Sequence, residues 1–168
     1  MSECIVKNRS LKNMTLANLL SETRIIPELA SKERWEAIRE LVDCLVISGK
    51  VAPHDKESVL ESIRQREETM STGIGFGIAI PHASSSQVDE VVAAFGRSTT
   101  GIPFESLDGE PVHFIVLFVV PKDQFQTHLR TLAAIAKFLN DKTVRDELTV
   151  ADSPAAILQV FENRSSRA

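Results

Sequence analysis

An α/β domain is predicted for this chain by three observations. Helical periodicity dominates the segment before residue 70. Between residues 78 and 120 it gives way to short apolar runs bounded by Pro, Gly and Asp signals, and after residue 125 the helical period returns. Helices, then strands, then helices describe one α/β domain. At 168 residues and 43% hydrophobic composition, the chain is long enough to bury one sizeable core and short for two domains.

Taken in order, residues 1 to 14 read as a polar leader, residues 15 to 162 as the domain and residues 163 to 168 as a tail. "TLANLLS" is a short apolar helix or strand, and "RIIPEL" a brief extended piece held open by its proline. In "SKERWEAIRELVDCLVISGK", Ser31 is the expected N-cap. Trp35, Ile38, Leu41, Val42, Leu45 and Val46 then recur at helical spacing until Gly49 ends the run. A second helix, "HDKESVLESIRQREE", opens at Asp55 and carries Val59, Leu60 and Ile63 on one side, with Arg64, Arg66 and Glu67 at its polar end. "IAI", "EVVAAFG" and "VHFIVLFVV" are strands, the last two joined through an Asp108-Gly109 turn. "QTHLRTLAAIAKFLND" returns to helix, with Thr127 as the expected N-cap and Leu129, Leu132, Ala133, Ala136 and Leu139 on one face. Ser153-Pro154 opens the last helix, because proline suits the first helical position.

The composition excludes several function classes. A formal net charge of -4 with no basic stripe removes the phosphate-neutralising term of nucleic-acid binding. "FIVLFVV" is far short of the roughly 20 residues that cross a bilayer, and the N-terminus lacks the apolar core of a secretory signal. A cytoplasmic protein without membrane insertion is expected. Cys4 and Cys44 form no metal-type spacing and are assigned no chemistry.

Site chemistry concentrates in "GIGFGIAIPHA". A dinucleotide fingerprint needs G-x-G-x-x-G between strand and helix, but Gly73, Gly75 and Gly77 are spaced G-x-G-x-G and lead into a strand-like run. No Gly-Lys-Ser/Thr follows, so this is no Walker loop. Such glycines mark a backbone that bends or is closely approached. His82 follows Pro81 at the end of an apolar run, where reactive groups are often hosted; a satisfied structural histidine fits the same pattern. His128 sits in a first helical turn, where the positive dipole end favours neutral imidazole; a solvated face residue fits equally. His54 and His113 read as structural. His82 with His128 or His113 lacks H-x-x-x-H spacing, so no metal is assigned.

The run "REETMSTGIGFGIAIPHA", taken with "LDGEPVHFIVLFVVPKDQFQTHLRTLAAIAKFL", resembles the enzyme IIA domain of the bacterial phosphoenolpyruvate-dependent sugar phosphotransferase system. The likeness is to the fructose/mannitol type, including its nitrogen-regulatory branch, over roughly residues 15 to 162. It implies a central mixed β-sheet flanked by helices on both faces. It implies phosphorylation of His82 by a histidine phosphocarrier protein, with Arg66 and His128 lining the same pocket. Onward acceptors would be a separate IIB component or regulatory target proteins. Phosphoryl transfer asks mainly for positioning and charge stabilisation. Backbone donors brought close at Gly73, Gly75 and Gly77, with hydroxyls of Ser71 or Thr72, can supply part of this. No bound cofactor is required. Phe76 stands where the family often has a polar residue, and "HASSSQ" replaces the usual glycine-lysine pair. Phe76 is either part of a contact surface or a core residue of the loop.

Overall fold

The computed structural model describes residues 15–165; the expected leader with Cys4, and residues 166–168 of the expected tail, lie outside the described residues. Six helices and six strands follow in chain order among them. They are α1 (Leu16–Leu19), β1 (Ile25–Ile26), α2 (Arg34–Ile47), α3 (Lys56–Thr69), β2 (Gly73–Gly75), β3 (Ile78–Ala79) and β4 (His82–Ser85). The remainder are β5 (Val92–Ile102), β6 (Val112–Pro121), α4 (Phe125–Asn140), α5 (Lys142–Val150) and α6 (Pro154–Ser165). The strands form one mixed sheet in the order β1-β5-β6-β3-β2, with β4 paired to β6 beside β3.

Period-two alternation divides the core between the two faces of the sheet. From β6, Ile115, Leu117 and Val119 join α2 and α3 through Ala37, Leu41, Leu45, Val59 and Ile63. Its alternate residues Phe114, Val116, Phe118 and Val120 join α1 and α4–α6 through Leu16, Ile135, Leu139, Val144, Ile157 and Phe161. Each large apolar side chain sealed in this way contributes about 1.5–3 kcal/mol. The expected α/β sandwich, with helices on both faces, is the observed one.

Several boundaries differ from expectation. The N-cap of α2 is Glu33, not Ser31; the Ser31 N–H and hydroxyl instead donate to the Glu40 carboxylate at 3.1 and 2.7 Å. The C-terminal end matches: Gly49 takes φ +77°, the left-handed conformation of a helix stop. Helix α4 starts at Phe125 with Gln124 as cap, two residues before Thr127. Its buried face is rotated so that His128, Ile135 and Leu139 are covered while Leu129 is exposed. Helix α5 was not expected: Asp141 ends α4 and restarts the chain by accepting the Thr143 N–H at 2.8 Å. Helix α6 begins at Pro154 as expected, with Ser153 Oγ capping the Ala156 N–H at 3.1 Å, and runs three residues into the expected tail.

Candidate functional site

His82 opens β4, in parallel register with Phe118 of β6. It therefore begins a strand, where the sequence suggested the end of one. Strands β3 and β4 lie successively along the same side of β6, pairing at Phe114–Ile115 and at Phe118–Pro121. The break between them falls at Ile80-Pro81, where proline has no N–H to give and its carbonyl accepts the Phe118 N–H at 3.0 Å. His82 Nδ1 lies 2.8 Å from the Ile80 carbonyl oxygen. A carbonyl only accepts, so Nδ1 carries the proton and Nε2 keeps its lone pair. The ring stacks on Phe125 at 6.1 Å between centroids, 15° from parallel. Burial holds its pKa below the ordinary histidine range, and the nearby Arg66 charge acts in the same direction. The result is a neutral, oriented imidazole with one open nitrogen.

Two depressions meet at this ring. A cleft of about 650 Å³ runs along β4, lined by Ser58, Ser62 and Arg66 of α3, by Ser84 and Ser86, and by Lys122 and Phe125. A smaller one of about 270 Å³ is shared by His82, Arg66, Ser71, Thr72, Ile74 and Leu132. Arg66 borders both; its guanidinium donates to the Met70 carbonyl at 2.9 Å and makes no ion pair with a carboxylate among the described residues. The charged residues lining the two depressions, Arg66 and Lys122, are both cations. In a chain of net charge -4, this spot favours an anion.

The glycine stretch is a tight hairpin, β2 to β3, turned by Phe76 at φ +56° and Gly77 at φ +76°. Gly73 has no room for a side chain, since a Cβ there would stand 2.9 Å from Ser106 Cα. Ser71 and Thr72 reach the smaller depression, but their hydroxyls have partners. Ser71 Oγ donates to the Phe104 carbonyl at 2.6 Å, and Thr72 Oγ1 to the Glu67 carboxylate at 2.5 Å. Glu67, expected at a polar helix end, is 2% exposed. Its position was readable: Val59, Ile63 and Glu67 are spaced by four and share the buried stripe of α3. Arg34 lies 3.7 Å from its carboxylate and stacks over Trp35 at 4.3 Å, with Arg64 at 5.5 Å from the same ring.

His128 lies one helical turn beyond Phe125, edge-on to Phe118 at 6.3 Å. It is 1% exposed and lines neither of the two depressions that Arg66 borders, so the expected shared pocket is not the observed one; neither ring nitrogen has a hydrogen-bond partner among the described residues. Burial depresses its pKa, so the neutral form expected from the helix dipole has burial as its cause. His113 Nδ1 is 2.8 Å from the Ser98 carbonyl oxygen, and exposed His54 lies beside Asp55. Cys44, its thiol pushed up by burial, donates to the Thr23 carbonyl at 3.2 Å. Phe76 is 64% exposed beneath the Arg145 guanidinium, 5.2 Å from the ring centre, which removes the core reading for it. No helix among the described residues is long and apolar enough to cross a membrane.

Comparison with known proteins gives the chain its family. A nitrogen regulatory protein of Escherichia coli (strain K12) is 42% identical over 133 residues, covering 79% of this chain and 78% of that protein. The fructose-specific EIIABC component of the phosphotransferase system in Bacillus subtilis (strain 168) is 37% identical over 148 residues, 88% of this chain. The chain spans only 23% of that longer relative. Among solved structures, the nitrogen regulatory protein IIA-Ntr from Neisseria meningitidis superimposes with a TM-score of 0.79 at 25% identity, over 87% of this chain and 98% of that one. The family model described as "Phosphoenolpyruvate-dependent sugar phosphotransferase system, EIIA 2" matches residues 18–164. The chain is thus a member of the EIIA type-2 family of that phosphotransferase system.

Proposed function

We propose that His82 is the phosphoryl-accepting residue of this phosphotransferase component, and that its donor is a histidine phosphocarrier protein. The observation that carries the reading is the His82 ring itself: neutral, fixed by Ile80, with Nε2 open beside Arg66. The Nε2 lone pair attacks phosphorus, the nitrogen–phosphorus bond of the donor breaks, and its electron pair returns to the donor imidazole. The protein need not supply a base, because the attacking nitrogen carries no proton. Arg66 can bind two phosphoryl oxygens at once; His128, which is sealed and lines neither depression, is assigned a supporting donor role that requires its turn of α4 to open toward His82 when phosphate arrives. Ser71 and Thr72 form part of the wall, while Gly73, Gly75 and Gly77 line neither depression and instead give the hairpin the tight course that carries Ile74 into the smaller one.

The outcome at His82 is a gain of about -1.5 to -2 charge, which can repel an acidic partner face or recruit a basic one. The 42% identity with a nitrogen regulatory protein favours regulatory output, with the exposed Phe76 as part of the surface that reads the charge. The likeness to a fructose-specific component supports a second reading, donation to a IIB cysteine during carbohydrate uptake. The test is incubation with phosphoenolpyruvate, enzyme I and the phosphocarrier. The expected product is an acid-labile, base-stable phosphate on wild type and none on folded His82→Ala. Persistent labelling of that variant would sink the assignment. Rapid loss of label to a IIB protein, followed by sugar phosphorylation, would replace regulation by transport.

A further inference from the structure

We propose that Glu67 is a positioning residue for the accepting imidazole, acting through Thr72 and Ile80; this rests on His82 being the phosphoryl acceptor. A carboxylate at a core position of an amphipathic helix is costly unless hydrogen bonds replace its water. Glu67 is 2% exposed and meets that demand locally. It accepts the Thr72 N–H at 3.1 Å on each oxygen and the Thr72 hydroxyl at 2.5 Å. The Thr72 carbonyl in turn accepts the Ile80 N–H at 3.1 Å. The Ile80 carbonyl accepts the His82 Nδ1–H at 2.8 Å.

Three links therefore run from one buried anion to the reactive ring. Ile80 is held at both ends, its N–H by Thr72 and its carbonyl by His82, and it is buried, so its peptide has little freedom to turn. The carbonyl that selects the productive tautomer is thus placed by a carboxylate that lines neither depression. Pro81 strengthens this dependence, since without an N–H it can only accept at the break, through its carbonyl, and donates no strand bond. Glu67 also sits near enough to favour the protonated imidazole, opposing burial and the adjacent Arg66.

The test uses the unphosphorylated full chain and reads the His82 ring by proton–nitrogen correlation spectra, with the signal assigned by its loss in His82→Ala. Wild type should show one tautomer, protonated at Nδ1. Glu67→Ala should give a mixture, with phosphoryl acceptance slowed about 3- to 10-fold, as expected when one modest hydrogen bond no longer biases the reactive form. Glu67→Gln keeps an acceptor for the Thr72 N–H and should restore both readouts. Should Glu67→Ala not fold, Thr72→Val removes the hydroxyl link alone and should move both readouts in the same direction by less. A folded Glu67→Ala, or Thr72→Val in its place, with a single Nδ1-protonated tautomer and the wild-type rate would overturn the proposal. Failure of the His82 assignment shows separately, as label on a different residue, because the tautomer is read before any phosphate is present.

Discussion

Replacing His128 by leucine should make the unphosphorylated protein more stable while impairing phosphoryl acceptance. The imidazole is almost fully buried, and both of its nitrogens lack a hydrogen-bond partner among the described residues. A neutral ring brings one donor and one acceptor. At the low end of the cost of an unpaired buried group, the two together cost about 2 kcal/mol. The edge-on contact with Phe118 returns about 0.5–1.5 kcal/mol. His128→Leu, similar in volume and without polar atoms, should gain about 0.5–1.5 kcal/mol. For a domain of this size, that raises Tm by about 1–6 °C.

The pH dependence gives an independent check. Burial lowers the folded-state pKa of His128 below the ordinary ≈ 6.5. The unfolded chain therefore binds a proton that the folded one refuses. The stability tied to the neutral ring is fully present above about pH 6.5 and is lost as pH falls below it. Urea unfolding at about pH 7.5 and about pH 5.5 should show a smaller gap between the two midpoints for His128→Leu than for wild type. Part of the gap will remain, because burial shifts His82 in the same direction. A leucine variant less stable than wild type at about pH 7.5, with an unchanged gap, would refute the reasoning. A stabilised variant that accepts phosphate at the wild-type rate would refute the functional half, in which a costly residue is kept for its chemistry.

Arg66→Ala should slow phosphoryl acceptance by about 10²- to 10³-fold, the usual effect of losing one preorganised donor. Arg66→Lys should fall between this variant and wild type, since a point charge replaces a fork; equal rates for all three would remove Arg66 from the chemistry. Because burial lowers the pKa of His82, its acceptance rate should hold as pH falls through about 6.5 and decline only below. A pH–rate profile with its midpoint at or above that value would contradict the lowering of the His82 pKa by burial. Gly73→Ala drives a methyl into the Ser106 backbone and should cost about 1–3 kcal/mol in denaturant unfolding; a neutral substitution would mean that the hairpin is not held against that loop.

The sequence was most legible where one period ran long enough between clear stops. Helix α2 ends at Gly49 and helix α6 begins at Ser153-Pro154, as composition suggested. Helix α5 was not legible because its buried apolar content is Val144 and Leu148 alone, and a single residue, Asp141, separates it from α4. Strand β4 was hidden for a related reason. "HASS" has no β-branched or aromatic run, and it is a strand only through its parallel pairing with Phe118–Pro121 of β6, with Ala83 and Ser85 buried. The prominence of His82 came from its motif, but its tautomer depends on a carbonyl two residues back, which no spacing rule reveals. Glu67 illustrates the opposite case: the four-residue stripe was visible, and the expectation that charge at a helix end faces water concealed it.

Trp35 gives this domain a useful optical property. The chain has one tryptophan and no tyrosine, so fluorescence excited at the red edge of protein absorption comes from a single indole. That ring has both the Arg34 and the Arg64 guanidinium over it, and Arg34 also reaches toward Glu67. Its emission colour and its quenching therefore report on the electric field at one spot, the junction of α2 and α3, rather than an average over many emitters. The molecule carries its own probe at the junction of α2 with α3, the helix that also carries Arg66 to the site, so a charge-linked shift of that helix can be followed in real time without any attached dye.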